Sequence, residues 1–193
     1  MAFKLKSYIW SSTATNKSIN NIPGVDKGED EKLTSNYIIG NLETLHNKCI
    51  GPIISHFNNL PDSSGNSIGI TSAYRSKALN AAVGGVENSQ HIQGMAVDLI
   101  YTEGPVSDVF NWAIANLPAF SQIIWEFPEK GQFTGGGGGS EWVHIAYNQD
   151  DNKKTISLAS ERDDLHTHHQ TDDTERRGKY THGLTMEADQ TIV

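Results

Sequence analysis

The sequence predicts an α+β domain built around a small, mostly antiparallel sheet. Three observations lead there. An apolar stripe at helical spacing runs through residues 35–57, four short segments with strand character lie between residues 68 and 147, and helices separate the first strands whereas loops join the last ones.

Residues 1–33 open the chain as an extended entry segment. "TNKSINNIPGVDKGED" is rich in Asn, Gly and Asp, which is turn chemistry, and leaves room for at most one short ordered piece around Tyr8 to Trp10. From Ser35 the pattern changes. Ile38, Ile39, Leu42, Leu45, Cys49, Ile53, Ile54 and Phe57 recur at three- and four-residue steps and form one helix face. Thr34 or Ser35 is placed to cap its start, and Gly51-Pro52 should interrupt or kink it, because proline removes a donor and clashes with the preceding turn.

"LPDSSGNS" (60–67) is a turn, and "IGITSAY" (68–74) reads as a strand. "SKALNAAVGG" (76–85) reads as a short helix closed by glycine, and "GMAVDLIY" (94–101) as the next strand. Ser107 is placed to cap the helix "DVFNWAIANL", which Pro118 ends. "SQIIWEF" (121–127) and "EWVHIAY" (141–147) are the last two strands, joined through five consecutive glycines that are costly to order. The folded domain therefore spans residues 34–158. Residues 159–193, charged with both signs and poor in branched apolar residues, read as a polar, disordered tail, and its "HTHH" (166–169) as a weak compositional hint of metal binding.

Composition narrows the function. The 193 residues carry a formal charge of -8, which disfavours nucleic acid and anionic membranes as partners. No stretch approaches the ~20 apolar residues of a membrane span. Cys49 is the only cysteine, so no internal disulfide forms, and a small buried apolar role suits it better than catalysis. "MAFKLKSYIW" lacks the apolar run and cleavage site of a secretory signal. The expectation is synthesis in the cytoplasm and action after release by another agent or as part of a virion.

The chemistry concentrates in "NSQHIQGMAVDLI" (88–100) and "EWVHIAY". His91, Asp98 and His144 offer two imidazoles and a carboxylate, a donor set suited to catalytic zinc, which takes three protein ligands and keeps a fourth position for water. Gly94 lets the chain turn between His91 and the strand that carries Asp98. Within that strand Asp98 shares a face with Ala96 and Ile100, and a carboxylate there is costly to bury unless paired or metal-bound. Spacing alone leaves a second reading open, in which Asp98 is simply the hydrogen-bond partner of a core histidine.

"SQHIQGMAVDL" resembles the Ser-x-His-x-x-Gly-x-Ala-x-Asp signature of the zinc D-Ala-D-Ala carboxypeptidase family, which also contains phage endolysins that cut the L-Ala-D-Glu bond of peptidoglycan. "EWVHIAY" is similar to the family's second motif, an acidic residue three positions before the last zinc-binding histidine. "ITSAYRSKALNAAVGG" is similar to the strand and arginine-bearing turn before the first motif, and "SSTATNKSINNIP" to the entry segment of a phage-associated branch. The likeness covers roughly residues 8–158.

The resemblance implies a hedgehog-type fold with helices packed on one side of the sheet, and a Zn2+ cofactor held by His91, Asp98 and His144. It implies Glu141 as general base, Arg75 at the substrate carbonyl or carboxylate, Ser89 as a substrate-side hydroxyl, and peptidoglycan peptide as substrate. Glu126, near the end of the neighbouring apolar strand, is the rival base. In a regular strand Glu141 and His144 project to opposite faces, so Glu141 reaches the metal only if the strand begins after it or is bulged. Two other readings predict different behaviour: a non-catalytic zinc-binding module of the same fold, and a virion structural protein whose motif residues only pack.

Overall fold

The structure, a computed structural model, describes residues 2–127 and 141–149, and residues 155–159 by their backbone. The glycine run and the HTHH tract lie outside the described residues, as does the expected tail apart from Ala159. Two short helices, α1 (Leu5–Ile9) and α2 (Ser12–Asn16), open the chain, followed by a 3-10 turn at Glu31–Leu33. The entry segment is thus more ordered than its composition suggests. The reason is tertiary: Tyr8 sits in the core, its hydroxyl hydrogen-bonded to Nδ1 of His46 at 2.6 Å, and Asn21 donates to the Ile9 carbonyl at 2.8 Å.

Helix α3 (Ser35–Leu45) is capped by Thr34, whose hydroxyl accepts from the Tyr37 amide. It does not stop at Gly51-Pro52. A π-helical turn at His46–Ile50 leads directly into α4 (Gly51–Asn58), with Pro52 in the first turn of α4. The wider turn absorbs the proline, whose missing N–H and ring would disrupt a regular α-helical ladder. Ile38, Leu42, Leu45, Cys49, Ile53, Ile54 and Phe57 are all buried, as the stripe requires, whereas Ile39 at its edge is half-buried.

Among the described residues, five strands form one sheet in the order β1-β2-β4-β3-β5: β1 (Ile68–Ser72), β2 (Ala96–Tyr101), β3 (Gln122–Glu126), β4 (Trp142–Ala146) and β5 (Thr155–Ala159). The first four pair antiparallel, and β5, which the sequence pattern did not reveal, adds parallel to β3 at an edge. Helix α5 (Lys77–Ala82) follows β1, capped by Ser76. Helix α6 (Val106–Asn116) follows β2 and begins one residue before the expected cap. Pro105 takes the cap position, so Ser107 lies inside the first turn.

The two faces of the sheet differ. Val97, Leu99, Ile123, Val143 and Ile145 join the apolar cluster that α3, α4 and α6 cover. The alternate residues of the same strands carry Asp98 and His144, which stand directly opposite each other in the β2-β4 register. An α+β fold with helices packed on one side of a mainly antiparallel sheet is the fold class the sequence predicts.

Candidate metal centre

Each candidate ligand is placed by a different local device. His91 sits on a 3-10 turn, Gln90–Gln93, whose start is capped by the Ser89 hydroxyl and whose end is Gly94 at φ 70°. Gly94 is required there, because a Cβ would lie 2.7 Å from the Ile38 carbonyl oxygen of α3. Asp98 and His144 come from the two central strands. His91, Asp98 and His144 are all buried, and one donor atom from each lies within 4.8 Å of the others.

The two imidazole donors converge on one carboxylate oxygen. His91 Nε2 lies 3.4 Å from Asp98 Oδ1, and His144 Nδ1 lies 2.9 Å from the same atom. Two ligands at zinc distances and tetrahedral angles lie roughly 3.3 Å apart, so the cluster has the dimensions of a zinc site. The tautomer of His91 also fits. Its Nδ1 donates to the Ala73 carbonyl at 2.6 Å, which leaves the Nε2 lone pair facing Asp98.

The electrostatics favour ligation by His91 and Asp98. Burial lowers the pKa of His91 to about 4, with the charges of Arg75 and His144 adding, so this imidazole is neutral at physiological pH and able to ligate. Burial alone would raise Asp98, yet His91, His144 and Arg75 outweigh it and hold the carboxyl well below the usual range. For His144 burial is likewise overcome, and its hydrogen bond and attraction to Asp98 raise it.

The remaining sequence candidates separate spatially. Arg75 donates from NH2 to Asp98 Oδ2 at 2.8 Å and from Nε to the Ser72 hydroxyl at 2.8 Å. The Ser89 hydroxyl accepts from the His91 amide at 3.4 Å. Glu126, opposite Trp142, is two residues beyond Ile124, which pairs with His144, so the backbone register puts it on the Asp98–His144 face. Burial first, and then the Asp98 charge, raise its pKa to about 7. Strand β4 does begin after Glu141, at Trp142, but the Glu141 carboxylate is engaged elsewhere. Oε2 accepts from Trp125 Nε1 at 2.8 Å, and Trp125 packs against Phe110 of α6 on the helical side.

Sequence reasoning did not find Ala73, whose contribution is a backbone carbonyl and leaves no side-chain signal, nor Ser72. The three-residue spacing of Ser72 and Arg75 across the end of β1 is the only trace of their contact.

The fold and the donor set define a zinc-site protein of the α+β class. A family model described as Peptidase M15 matches residues 32–146; the chain belongs to this family of zinc-dependent metallopeptidases, and the residues that would hold the zinc are His91, Asp98 and His144. No curated relative matches the chain.

Proposed function

We propose that the chain hydrolyses peptide bonds in bacterial peptidoglycan, in stem peptides or cross-links, as a phage-encoded wall-degrading enzyme. The observation that carries the hydrolytic reading is a half-buried carboxylate, Glu126, on the same sheet face as a complete ligand set. The chemistry a bound zinc supplies is polarisation of the scissile carbonyl and a water of lowered pKa.

Glu126 is our choice for general base. A carboxylate poised near neutrality can take the proton of the attacking water and return it to the leaving amine, the best compromise between being ionised and being basic. Glu141, the base by resemblance, has its carboxylate tied to the Trp125 indole. The substrate class and the phage origin rest on the motif resemblance of "SQHIQGMAVDL", "EWVHIAY" and the entry segment.

Mass spectrometry of defined muropeptides, incubated with the protein with and without a zinc chelator, tests the reading. A chelator-sensitive product lost in Glu126→Gln supports it. No product from any muropeptide by a protein holding one zinc per chain would overturn it in favour of a non-catalytic binding module.

A further inference from the structure

We propose that Arg75 is a positioning residue that fixes Asp98 as a one-oxygen ligand, reserving Oδ1 for the metal and leaving room for a water. The inference rests on the zinc reading of the site. It differs from the substrate-facing role that the sequence resemblance implies for this arginine.

The two oxygens of Asp98 have separate partners. Oδ1 is the atom that both imidazoles approach, His91 at 3.4 Å and His144 at 2.9 Å. Oδ2 accepts from the Arg75 guanidinium at 2.8 Å. A charge-assisted hydrogen bond of this strength holds Oδ2 towards the guanidinium and so opposes the rotation that would bring both oxygens onto a metal.

The guanidinium is itself held. Its Nε donates to the Ser72 hydroxyl at 2.8 Å, and only 17% of the side chain is exposed. The backbone around it is pinned as well. The Arg75 amide donates to the His91 carbonyl at 3.1 Å and the Tyr74 amide to the Tyr8 carbonyl at 2.9 Å. Asn21 accepts from the Ser76 amide at 2.6 Å and donates to the Tyr74 carbonyl at 3.2 Å. With Ala73 orienting His91, the strap 72–76 positions two of the three ligands, and the entry segment anchors the strap.

Two effects of Arg75 compete. Its charge repels a divalent cation, whereas its hydrogen bond orients the ligand. Orientation wins if the site behaves as outer-shell partners generally do, whose loss weakens metal affinity about 10–100-fold.

The test uses the full chain and the Arg75→Gln, Arg75→Ala and Ser72→Ala variants, with circular dichroism to verify folding. Zinc affinity is measured by competition with a chromophoric chelator, and the visible spectrum is recorded after substitution with cobalt(II). We expect zinc to bind about 10–100-fold more weakly in the Arg75 variants, with a smaller loss in Ser72→Ala. The cobalt d–d band should weaken as Asp98 becomes chelating and the coordination number rises. Should Arg75→Ala not fold, Arg75→Gln and Ser72→Ala carry the test. Unchanged or tighter zinc binding with an unchanged cobalt spectrum overturns the proposal, and peptide cleavage lost under those conditions would put Arg75 on the substrate. Failure of the wild-type chain to bind zinc would remove the metal reading itself.

Discussion

Trp125 donates its indole N–H to the Glu141 carboxylate across 2.8 Å, tying the acidic residue of the second motif to the helical side of the sheet. The two candidate bases therefore have different surroundings, and their variants should differ. Glu126→Gln should lower kcat for muropeptide cleavage by about 10²–10⁴-fold, the usual contribution of a general base, with zinc retained. Glu141→Ala should keep most activity and instead lose about 1 kcal/mol of stability, because a partly buried indole donor is left without its partner. Kinetics and thermal melts of both variants distinguish the roles, and the reverse pattern would restore Glu141 as the base.

The pH profile gives an independent check on Glu126. Its pKa is raised to about 7, chiefly by burial and next by the Asp98 charge. A base works ionised, so activity should rise with pH through this pKa and fall about tenfold per unit below it. A bound dication pulls the value down, so the acid limb of kcat/KM belongs between about 4.5 and 7. A flat profile from pH 4.5 to 8 would argue against Glu126.

Metal removal should affect stability as well as activity. His91, Asp98 and His144 are buried together around one oxygen, so a ligand that binds the folded chain alone stabilises it by about 2.7 kcal/mol at 100 times its Kd. Chelation should lower the melting temperature, and stoichiometric zinc should restore it. In His91→Ala the zinc-dependent shift should vanish, as differential scanning calorimetry with added zinc would show.

Cys49 offers a prediction away from the site. Its side chain is fully buried and its thiol donates to the Ala119 carbonyl at 3.2 Å. Burial raises its pKa to about 12. The unfolded thiol ionises near 9 and the folded one does not, so stability present below pH 9 is lost as pH rises from about 9 towards 12. Cys49→Ala should flatten that part of the stability curve, and the native thiol should resist alkylation at pH 8 that the denatured chain undergoes. Rapid native alkylation would contradict the burial.

What could be read from sequence follows from where information sits in the chain. The stripe from Ile38 to Phe57 and the alternation around Asp98 are periodic, so the helix face and the polar sheet face were both visible. His91, Asp98 and His144 stood out because polar groups among apolar neighbours need a reason. The order of the entry segment was hidden because it depends on Tyr8 meeting His46, 38 residues away, and not on local propensity. The π-helical turn before Pro52 was hidden for a related reason: the packing of α3 and α4 decides how the chain accommodates a proline. The partners of Arg75 and Glu141 were invisible because both contacts cross between strands or turns.

Gly94 ties the ligand-bearing turn to the helical layer, and two glycine substitutions contacting or within the same helix should act in opposite directions. At Gly94 the backbone is left-handed, at φ 70°, and an added Cβ would meet the Ile38 carbonyl oxygen at 2.7 Å and Leu42 Cγ at 3.0 Å. Neither can yield freely, since Ile38 belongs to the α3 backbone and Leu42 is fully buried. The left-handed penalty of about 1–2 kcal/mol and an overpacking cost of about 1–3 kcal/mol together predict a loss of roughly 2–5 kcal/mol for Gly94→Ala. Because His91 lies three residues earlier on the same turn, zinc affinity should fall with stability. Gly40, on the exposed side of α3, has no neighbour within 4 Å of an added Cβ. Gly40→Ala should therefore stabilise the chain by about 0.5–1 kcal/mol through helix propensity alone, with zinc binding unchanged. Thermal melts and zinc titrations of the two variants decide the matter, and a Gly94→Ala protein as stable as wild type would show that the turn does not bear on α3 as described.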